Sequence, residues 1–340
     1  MTNPATNETA SANPSDTRLV DEIEALGHQM AAVRSYIGEM IYGQQEVVDE
    51  SLITLLSGGH ALLVGVPGLA KTLLTETLGK VLGLSEKRVQ FTPDLMPADI
   101  IGSEVLEESD SGRRAFRFIK GPVFCQLLMA DEINRASPRT QSALLQAMQE
   151  QEVSVAGERH DLPEPFHVLA TQNPLEQEGT YPLPEAQLDR FLMQINIDYP
   201  DLGAEREMML ATTGAERSVA RPAMNGADLM AAQRLVRTVP VGETVVDAIL
   251  TLVRSGRPDH SEIELVRDSV SWGPGPRASQ ALMLASRARA ILDGRLSPSI
   301  DDVIALAPPV LRHRMDLSFS ARAEGVTLEH VIARMCEPLA

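Results

Sequence analysis

The sequence is poor in aromatic residues, cysteine and basic charge, and each shortage excludes a class of protein. Aromatics form 4% of the 340 residues and include one Trp, so the core must be built mostly from aliphatic side chains. Two Cys exclude a disulfide scaffold and fit a reducing compartment. The 30 basic against 47 acidic residues give a net charge of −17, which excludes a generic nucleic-acid-binding protein because phosphates are neutralised by clustered Lys and Arg.

Long apolar runs are also missing. No stretch approaches about 18 uninterrupted apolar residues, so we expect no membrane span. Residues 1–17 lack the basic start and apolar run of a signal peptide, and their polar, aperiodic composition predicts a disordered tail. The simplest location for such a chain is the cytoplasm.

An ordinary share of hydrophobic residues, 44%, is present, and its pattern over residues 18–200 predicts an α/β domain. Helical periodicity predicts helices over 19–40 and 45–57, one starting at Lys71, and one over 138–149 that Ser137 caps. Apolar runs typical of buried parallel strands, and alternating stretches around polar turns, complete the domain. The predicted strands are 60–64, 88–91, 124–130, 166–171 and 191–197, and the predicted β-hairpins are 104–119 and 152–161.

The character of the chain changes near residue 200. Residues 1–200 carry 14 basic and 29 acidic residues, whereas residues 201–340 carry 16 and 18. We expect a linker over 201–227 and a small helical domain over 228–340. Helical patterns in that second domain cover 228–238, 243–255, 277–293, 299–307 and 327–336.

The strongest motif lies between the first predicted strand and the helix at Lys71. A glycine-rich loop in this context binds phosphates through its backbone N–H groups, while Lys71 reaches the terminal phosphates of ATP and Thr72 offers a hydroxyl to Mg²⁺. The general pattern has Gly immediately before the Lys, and here that residue is Ala70. Without the acids downstream the segment would resemble an ordinary turn before a helix. The motif consists of Gly65, Val66, Pro67, Gly68, Leu69, Ala70, Lys71 and Thr72.

Two acids follow the apolar strand that ends near residue 130. Ligands of open α/β sheets bind beyond the carboxyl ends of the strands, where Asp131 and Glu132 are expected. We expect Asp131 to hold Mg²⁺ and Glu132 to orient or deprotonate the attacking water. Solvated acids at a strand end are the ordinary alternative, which the upstream phosphate loop disfavours.

Three single polar residues are weaker candidates. Asn173 ends the next predicted strand, where an amide can position a water, although Asn-Pro is also a common turn. Arg190 precedes the last strand of the first domain, and Arg277 opens a helix of the second. Taken alone, each Arg is an ordinary surface ion-pair partner.

The motifs together resemble the MoxR family of AAA+ ATPases, and the resemblance spans about residues 20–336. The family pattern includes Ala70 within the phosphate loop and the acids at 131–132. The further matching segments are residues 90–97, 120–124, 130–136, 140–145, 148–150, 170–174, 181–191 and 276–278. The resemblance implies a P-loop AAA+ core, a parallel sheet sandwiched by helices with β-hairpin inserts, followed by a small all-α lid domain.

The resemblance also implies roles for individual residues. Asn173 resembles the sensor 1 residue, Arg190 the arginine finger that acts on ATP of the neighbouring subunit, and Arg277 the sensor 2 arginine of the lid. The stretch Ile41, Tyr42 and Gly43 resembles the adenine contact. The hairpin at 104–119 resembles the helix-2 insert and that at 152–161 the pre-sensor 1 hairpin.

The activity implied is that of a Mg²⁺-dependent ATPase that binds ATP and ADP and remodels a protein client. Family members form ring-shaped homo-oligomers, commonly hexamers, often act with a partner carrying a von Willebrand factor A domain, and in some cases assist metal-cofactor insertion. A DNA-translocating AAA+ motor is the alternative, which the charge of residues 1–200 disfavours. A nucleotide-dependent scaffold with negligible turnover is a third reading, disfavoured by the full set of hydrolytic residues.

Overall fold

The computed structural model describes residues 14–108, 114–176, 178–214 and 219–339, which form an α/β core followed by a helical lid. Helices and strands alternate through the core, and helices dominate from residue 202 onward. The helices are α1 (Pro14–Gly38), α2 (Gln45–Leu56), α3 (Lys71–Val81), α4 (Pro97–Ile101), α5 (Pro138–Glu150), α6 (Glu185–Leu188), α7 (Leu202–Thr213), α8 (Gly226–Thr238), α9 (Glu243–Ser255), α10 (Glu264–Ser269), α11 (Pro276–Leu292), α12 (Ile300–Leu311), α13 (Phe319–Ala323) and α14 (Leu328–Cys336). The strands are β1 (Ala61–Val64), β2 (Glu86–Gln90), β3 (Gly102–Glu108), β4 (Arg114–Lys120), β5 (Leu127–Asp131), β6 (Glu152–Val155), β7 (Glu158–Asp161), β8 (His167–Gln172), β9 (Met193–Asn196), β10 (Val270–Trp272) and β11 (Asp316–Leu317).

A parallel sheet of five strands, in the order β2-β5-β8-β1-β9, forms the centre of the described core. The pleat sends alternate side chains to opposite faces. Leu63, with Leu127 and Leu169, packs in the apolar cluster shared with α1, α2 and the lid. Leu62, with Leu128 and Val168, packs in the cluster that includes α5. The sheet is therefore buried on both faces, as parallel sheets require.

Two antiparallel hairpins extend from the core, as expected. Strands β3 and β4 pair from Gly102 opposite Lys120, and β6 pairs with β7. The two hairpins touch: the Phe118 ring stacks on the His160 ring with centroids 4.0 Å apart. The turn predicted at residues 109–112 lies outside the described residues.

The structure differs from the predicted boundaries at both ends of the core. Helix α1 begins at Pro14, so residues 14–17 belong to a helix; proline is tolerated at a helix start, where its missing N–H has no intrahelical partner. Residues 1–13 of the predicted tail lie outside the described part. The predicted linker contains helix α7, whose first turn is capped by Asp201 Oδ1, which accepts a hydrogen bond from the Ala204 N–H at 2.9 Å.

The lid is helical, as predicted, with one short addition. Strands β10 and β11 pair antiparallel between α10 and α13. The lid packs on the core through α11, which contacts α1 and α2, and through α12, which contacts β9. This packing places the end of α12 beside the segment that enters β9.

Candidate functional site

The loop of residues 65–70 leaves the carboxyl end of β1 and leads into α3. The neighbouring strands β8 and β5 end at the same edge of the sheet, so the loop lies beside Asp131 and Asn173. Gly65 is required by close packing, because a Cβ there would lie 2.7 Å from the carbonyl oxygen of Ile197. Gly68 has a φ of +88°, which favours glycine. The loop therefore needs glycine at two points: at Gly65 for close packing and at Gly68 for its positive φ.

Ala70 caps α3 in a left-handed conformation, with φ +56° and ψ +20°. This conformation explains why the general motif has Gly at the position, because a left-handed residue with a Cβ is strained. Alanine carries the smallest Cβ substituent and tolerates the geometry. The following N–H groups of α3 then point into the loop, as a phosphate site requires.

Lys71 folds back over its own loop. Its ammonium Nζ donates to the carbonyl oxygens of Gly65 and, at 3.1 Å, of Val66. Burial lowers the pKa of Lys71 from its ordinary value, and the nearby Asp131 and Glu132 act in the opposite direction. The charge is thus already positioned at the loop, next to the two acids.

Asp131 is buried, 8% exposed, and both of its oxygens are engaged. Oδ1 accepts from the Thr171 hydroxyl at 2.6 Å, and Oδ2 accepts from the Arg88 guanidinium at 2.5 and 3.2 Å. A buried carboxylate is stable only when it is paired and hydrogen-bonded. These contacts hold both oxygens of Asp131 in place at the end of β5.

Glu132 has a φ of +54°, and this left-handed turn directs its carboxylate across the edge of the sheet. Its N–H donates to Thr171 Oγ1 at 2.8 Å. Its Oε2 accepts from Gln90 at 2.7 Å and from Arg135 at 3.0 Å. Left-handed non-glycine residues cluster at functional sites. Here the strained backbone directs the carboxylate of Glu132 toward the cavity.

Asn173 follows β8 and is 5% exposed. Its Oδ1 accepts from the Leu175 N–H at 3.1 Å, which leaves its amide N–H groups available. The phosphate loop, both acids and Asn173 line one cavity of about 450 Å³, a size typical of small-ligand sites. The structure therefore brings Lys71, Thr72, Asp131, Glu132 and Asn173 together, as the sequence predicts.

The donor set of this cavity fits Mg²⁺. Thr72 and Asp131 both line it and offer a hydroxyl and a carboxylate oxygen, the hard ligands that Mg²⁺ takes in nucleotide sites. Across the described residues, no group of three or more His, Cys, Asp or Glu could hold a metal by itself. A metal ion there would depend on phosphate or water oxygens for its remaining ligands.

Sequence reasoning missed four side chains that hold the acids: Arg88, Gln90, Arg135 and Thr171. Arg88 and Gln90 lie opposite Met129 and Asp131 in the pairing of β2 with β5, and Thr171 comes from β8 on the other side. The available signal was the alternation of long polar residues on β2 beside a strand ending in two acids. This signal can be interpreted only when it is known that β2 lies next to β5 in the sheet.

Arg190 and Arg277 are not at this cavity. They line a second cavity of about 260 Å³ between the core and the lid, and the two cavities have no lining residue in common in the described structure. Arg190 Nη1 donates to the Leu145 carbonyl at 2.5 Å, and Arg277 Nη1 lies 3.6 Å from Asp189 Oδ2. The structure therefore places the residue expected to be the sensor 2 arginine beside Arg190 and apart from the phosphate loop.

The predicted adenine contact joins α1 to α2. Ile41 is buried, and the Tyr42 hydroxyl donates to the Glu39 carbonyl at 3.1 Å. Gly43 has a φ of +66°, and a Cβ there would lie 2.1 Å from that of Ala204, so α7 packs directly on the stretch. These three residues do not line the phosphate-loop cavity as described.

None of the helices that the structure describes has the length and apolar character needed to cross a membrane.

Two family descriptions match the chain. The ATPase family associated with various cellular activities (AAA) matches residues 60–193, and the AAA lid domain matches residues 263–335. The first range covers most of the sheet and the second covers most of the lid. Both confirm the fold class predicted from the sequence.

Individual proteins are similar over nearly the full length. The chain is 41% identical to Chaperone MoxR1 of Mycobacterium tuberculosis over 334 residues, which span 97% of this chain and 88% of that protein. It is 32% identical to Protein MoxR of Methylorubrum extorquens over 321 residues, 89% of this chain and 91% of that protein. A crystal structure of a candidate ATPase from Cytophaga hutchinsonii superposes with a TM-score of 0.87 at 36% identity, covering 95% and 98% of the two chains.

Proposed function

The chain belongs to the MoxR family of AAA+ ATPases, and from this premise we propose that it binds ATP with Mg²⁺, hydrolyses it and thereby remodels a partner protein. The observation that carries the proposal is the convergence of Lys71, Asp131, Glu132 and Asn173 on one cavity beside the phosphate loop. They come from three separate segments of the chain, and a chance meeting of these residue types would not also place the lysine over the loop.

In the proposed mechanism the loop N–H groups and Lys71 bind the phosphates of ATP. Glu132 accepts the proton of the attacking water while the Asn173 amide orients that water. Thr72 and Asp131 would hold Mg²⁺, which when bound neutralises charge on the phosphates. Arg88 forms an ion pair with Asp131, so coordination of the cation by Asp131 would require this ion pair to rearrange.

We infer that the site is completed by a second copy of the chain. Arg190 and Arg277 lie together at the second cavity, away from the phosphate loop. An arginine that stabilises charge on the transferring phosphoryl group contributes roughly 10³–10⁵ in rate, and it must reach that group. The separation within one chain supports action on the ATP of a neighbour, by Arg190 as the finger and by Arg277 beside it, in a homo-oligomeric ring of hexameric type.

Complementation between two inactive variants tests this arrangement. A Lys71→Ala subunit cannot hold ATP but can donate Arg190, whereas an Arg190→Ala subunit holds ATP but donates nothing. Each variant alone should be nearly inactive, and mixing them under conditions of subunit exchange should restore part of the ATPase rate. Mixed rings without any recovery, or full activity of Arg190→Ala alone, would contradict the proposal.

The proposed client is a protein, with a von Willebrand factor A domain partner and action in the cytoplasm as the family resemblance implies. A pull-down with a Glu132→Gln variant held in ATP would identify it. The DNA-motor alternative is disfavoured by the hairpin of β3 and β4, where Arg114 pairs with Glu108 and Arg117 with Glu107. Salt-sensitive DNA binding with DNA-stimulated hydrolysis would favour the motor instead.

A further inference from the structure

We propose that Arg314, at the end of lid helix α12, is the positioning residue for Arg190. The proposal rests on the finger role proposed for Arg190 above. Arg190 lies on a four-residue segment, residues 189–192, between the end of α6 and the start of β9. The backbone N–H groups of this segment bond to carbonyl oxygens of α6 and of His60, so its own carbonyl oxygens and the Asp189 carboxylate are the groups that the lid can bind.

Arg314 binds three of the four carbonyl oxygens of the segment and the Asp189 carboxylate. Its guanidinium is 2% exposed and donates to the carbonyl oxygens of Phe191 at 2.6 Å, Leu192 at 3.0 Å and Asp189 at 3.4 Å. Its Nε donates to the Asp189 carboxylate at 2.7 Å. The remaining bond goes to the carbonyl oxygen of Val310 in α12, at 2.6 Å. One buried side chain thus holds every residue of the segment except Arg190 itself.

The neighbouring residue strengthens the same attachment. His313 is buried, and its Nε2 lies 3.1 Å from the Phe191 carbonyl oxygen. Two consecutive lid residues therefore bind the backbone that immediately follows Arg190. A guanidinium is suited to this task because it presents several donors in a fixed plane. The lid thus fixes the carbonyl oxygens on either side of Arg190, while the core binds the N–H groups of the segment and the Arg190 guanidinium.

Asp189 divides its carboxylate between two lid arginines. Oδ1 accepts from buried Arg314 at 2.7 Å, while Oδ2 lies 3.6 Å from Arg277, whose side chain is 51% exposed. The inner pair is short and shielded from water, and the outer one is long and exposed. Arg314 therefore anchors the segment, whereas Arg277 faces the cavity where a neighbour's phosphates would lie.

If Arg314 served only to stabilise the fold, its contacts in the structure would be the same. Its variants would nevertheless behave differently in mixed rings. If Arg314 acts through Arg190, its loss damages hydrolysis in the adjacent subunit's pocket and leaves its own pocket intact. If it only stabilises the fold, its loss damages its own pocket as well. Arg314→Gln is therefore mixed separately with Lys71→Ala and with Arg190→Ala. The mixture that recovers ATPase activity decides between the two roles of Arg314.

We expect rings of Arg314→Gln alone to lose roughly 10²-fold in ATPase rate, because displacement of a reacting group by about 1 Å has that effect. ATP affinity, measured by titration calorimetry, should stay within about twofold of the parent. Mixing with Lys71→Ala should restore activity, and mixing with Arg190→Ala should not. The ATPase rate of Arg314→Lys, which keeps the charge but not the planar group of donors, should lie between those of the parent and Arg314→Gln. This variant replaces Arg314→Gln in the test if Arg314→Gln does not fold.

Arg312→Gln is the matched control, since Arg312 is two residues away and its Nε donates only within α12, to Pro308 at 3.0 Å. It should keep the parental rate. Parental turnover of Arg314→Gln, or its failure to recover with Lys71→Ala while Arg190→Ala does recover, would overturn this proposal alone. Failure of Arg190→Ala to recover with Lys71→Ala would overturn the finger role and this proposal together.

Discussion

Ala70 and Glu132 both have left-handed backbone conformations, and both lie where the phosphate-loop cavity needs a sharp turn. At Ala70 the turn aligns the first N–H groups of α3 with the loop. At Glu132 the turn makes two successive acidic side chains point in different directions. Asp131 is buried, whereas Glu132 faces the cavity. The strain is offset at Glu132 by the bonds from Thr171, Gln90 and Arg135.

Ala70→Gly should raise the free energy of unfolding by up to about 1.6 kcal/mol. Relief of the left-handed strain contributes about 1–2 kcal/mol, and the greater freedom of glycine in the unfolded chain removes about 0.4–1 kcal/mol of that gain. Ala70→Val should instead destabilise the protein, since a β-branched residue is a worse fit at positive φ. Urea unfolding of both variants measures the difference; equal losses for Gly and Val would show that Ala70 is not strained.

Thr171→Val should impair both stability and turnover. The Thr171 hydroxyl is buried, donates to Asp131 and accepts from the Glu132 N–H, and valine replaces it without changing the shape. Hydrogen bonds to charged groups contribute about 1.5–3 kcal/mol, so we expect a loss in that range together with a lower ATPase rate.

Thr54→Val is the control for this substitution. Thr54 is also fully buried, but its hydroxyl donates only to the Glu50 carbonyl within α2. Its loss should lower stability by about 1 kcal/mol and leave turnover unchanged. Equal effects of the two substitutions on turnover would remove Thr171 from the positioning of the acids.

At the scale of elements, two buried histidines join the amino ends of neighbouring strands. His60 precedes β1 and accepts from the Val168 N–H at Nδ1, while its Nε2 lies 3.3 Å from the Met148 carbonyl. His167 begins β8 and bonds the Gly59 carbonyl and Gln233 of α8. Each ring satisfies one donor and one acceptor, which only a neutral imidazole can do.

Burial lowers the pKa of His60 to about 3 and that of His167 to about 4. Between those values and the ordinary 6.5 the unfolded chain binds more protons than the folded one, so stability is present above pH 6.5 and is lost as the pH falls. Each histidine should contribute a slope of about 1.4 kcal/mol per pH unit within that window.

Urea unfolding of His60→Asn between pH 7 and pH 4.5 measures this contribution. The variant should show a shallower fall in the free energy of unfolding than the parent. The exposed His330 supplies the control, since His330→Asn should keep the parental slope. An unchanged slope for His60→Asn would mean that His60 is protonated in the folded protein or that its site hydrates as the pH falls.

The elements with a local signal could be predicted from the sequence, and those without one could not. Helix α5 begins where Ser137 and Pro138 predict it, because the cap and the proline are adjacent in the chain. Helix α7 was missed because none of its residues is buried, so it carries no apolar periodicity. The motif residues around the phosphate loop are likewise local, whereas the contacts of Arg88 and Gln90 depend on β2 lying next to β5.

At the scale of the molecule, the lid is part of the main apolar core. One buried cluster runs from Ile23 of α1 through Leu63 of β1 to Leu306 of α12. Ion pairs reinforce the junction, where Arg34 lies 2.7 Å from Asp49 of α2 and 3.3 Å from Asp293 beside α11. Core and lid should therefore unfold as one unit.

The single tryptophan makes that expectation measurable. Trp272 lies in β10 of the lid, so its fluorescence reports lid unfolding, while far-UV circular dichroism reports the whole chain. The two urea transitions should coincide in the parent and shift together in Arg34→Gln. A fluorescence transition at lower urea would show that the lid detaches first, and the lid could not then hold the Arg190 segment rigidly.

Phosphate release by Glu132→Gln at saturating ATP and Mg²⁺ tests whether the phosphate-loop cavity is an ATPase site. We expect the rate to fall by roughly 10²–10⁴-fold, because the amide keeps the shape of Glu132 but cannot accept a proton. Calorimetry should show an ATP affinity close to that of the parent. The exposed Glu150→Gln variant should hydrolyse ATP at the parental rate. Turnover of Glu132→Gln near the parental rate would contradict the assignment of this cavity as an ATPase site.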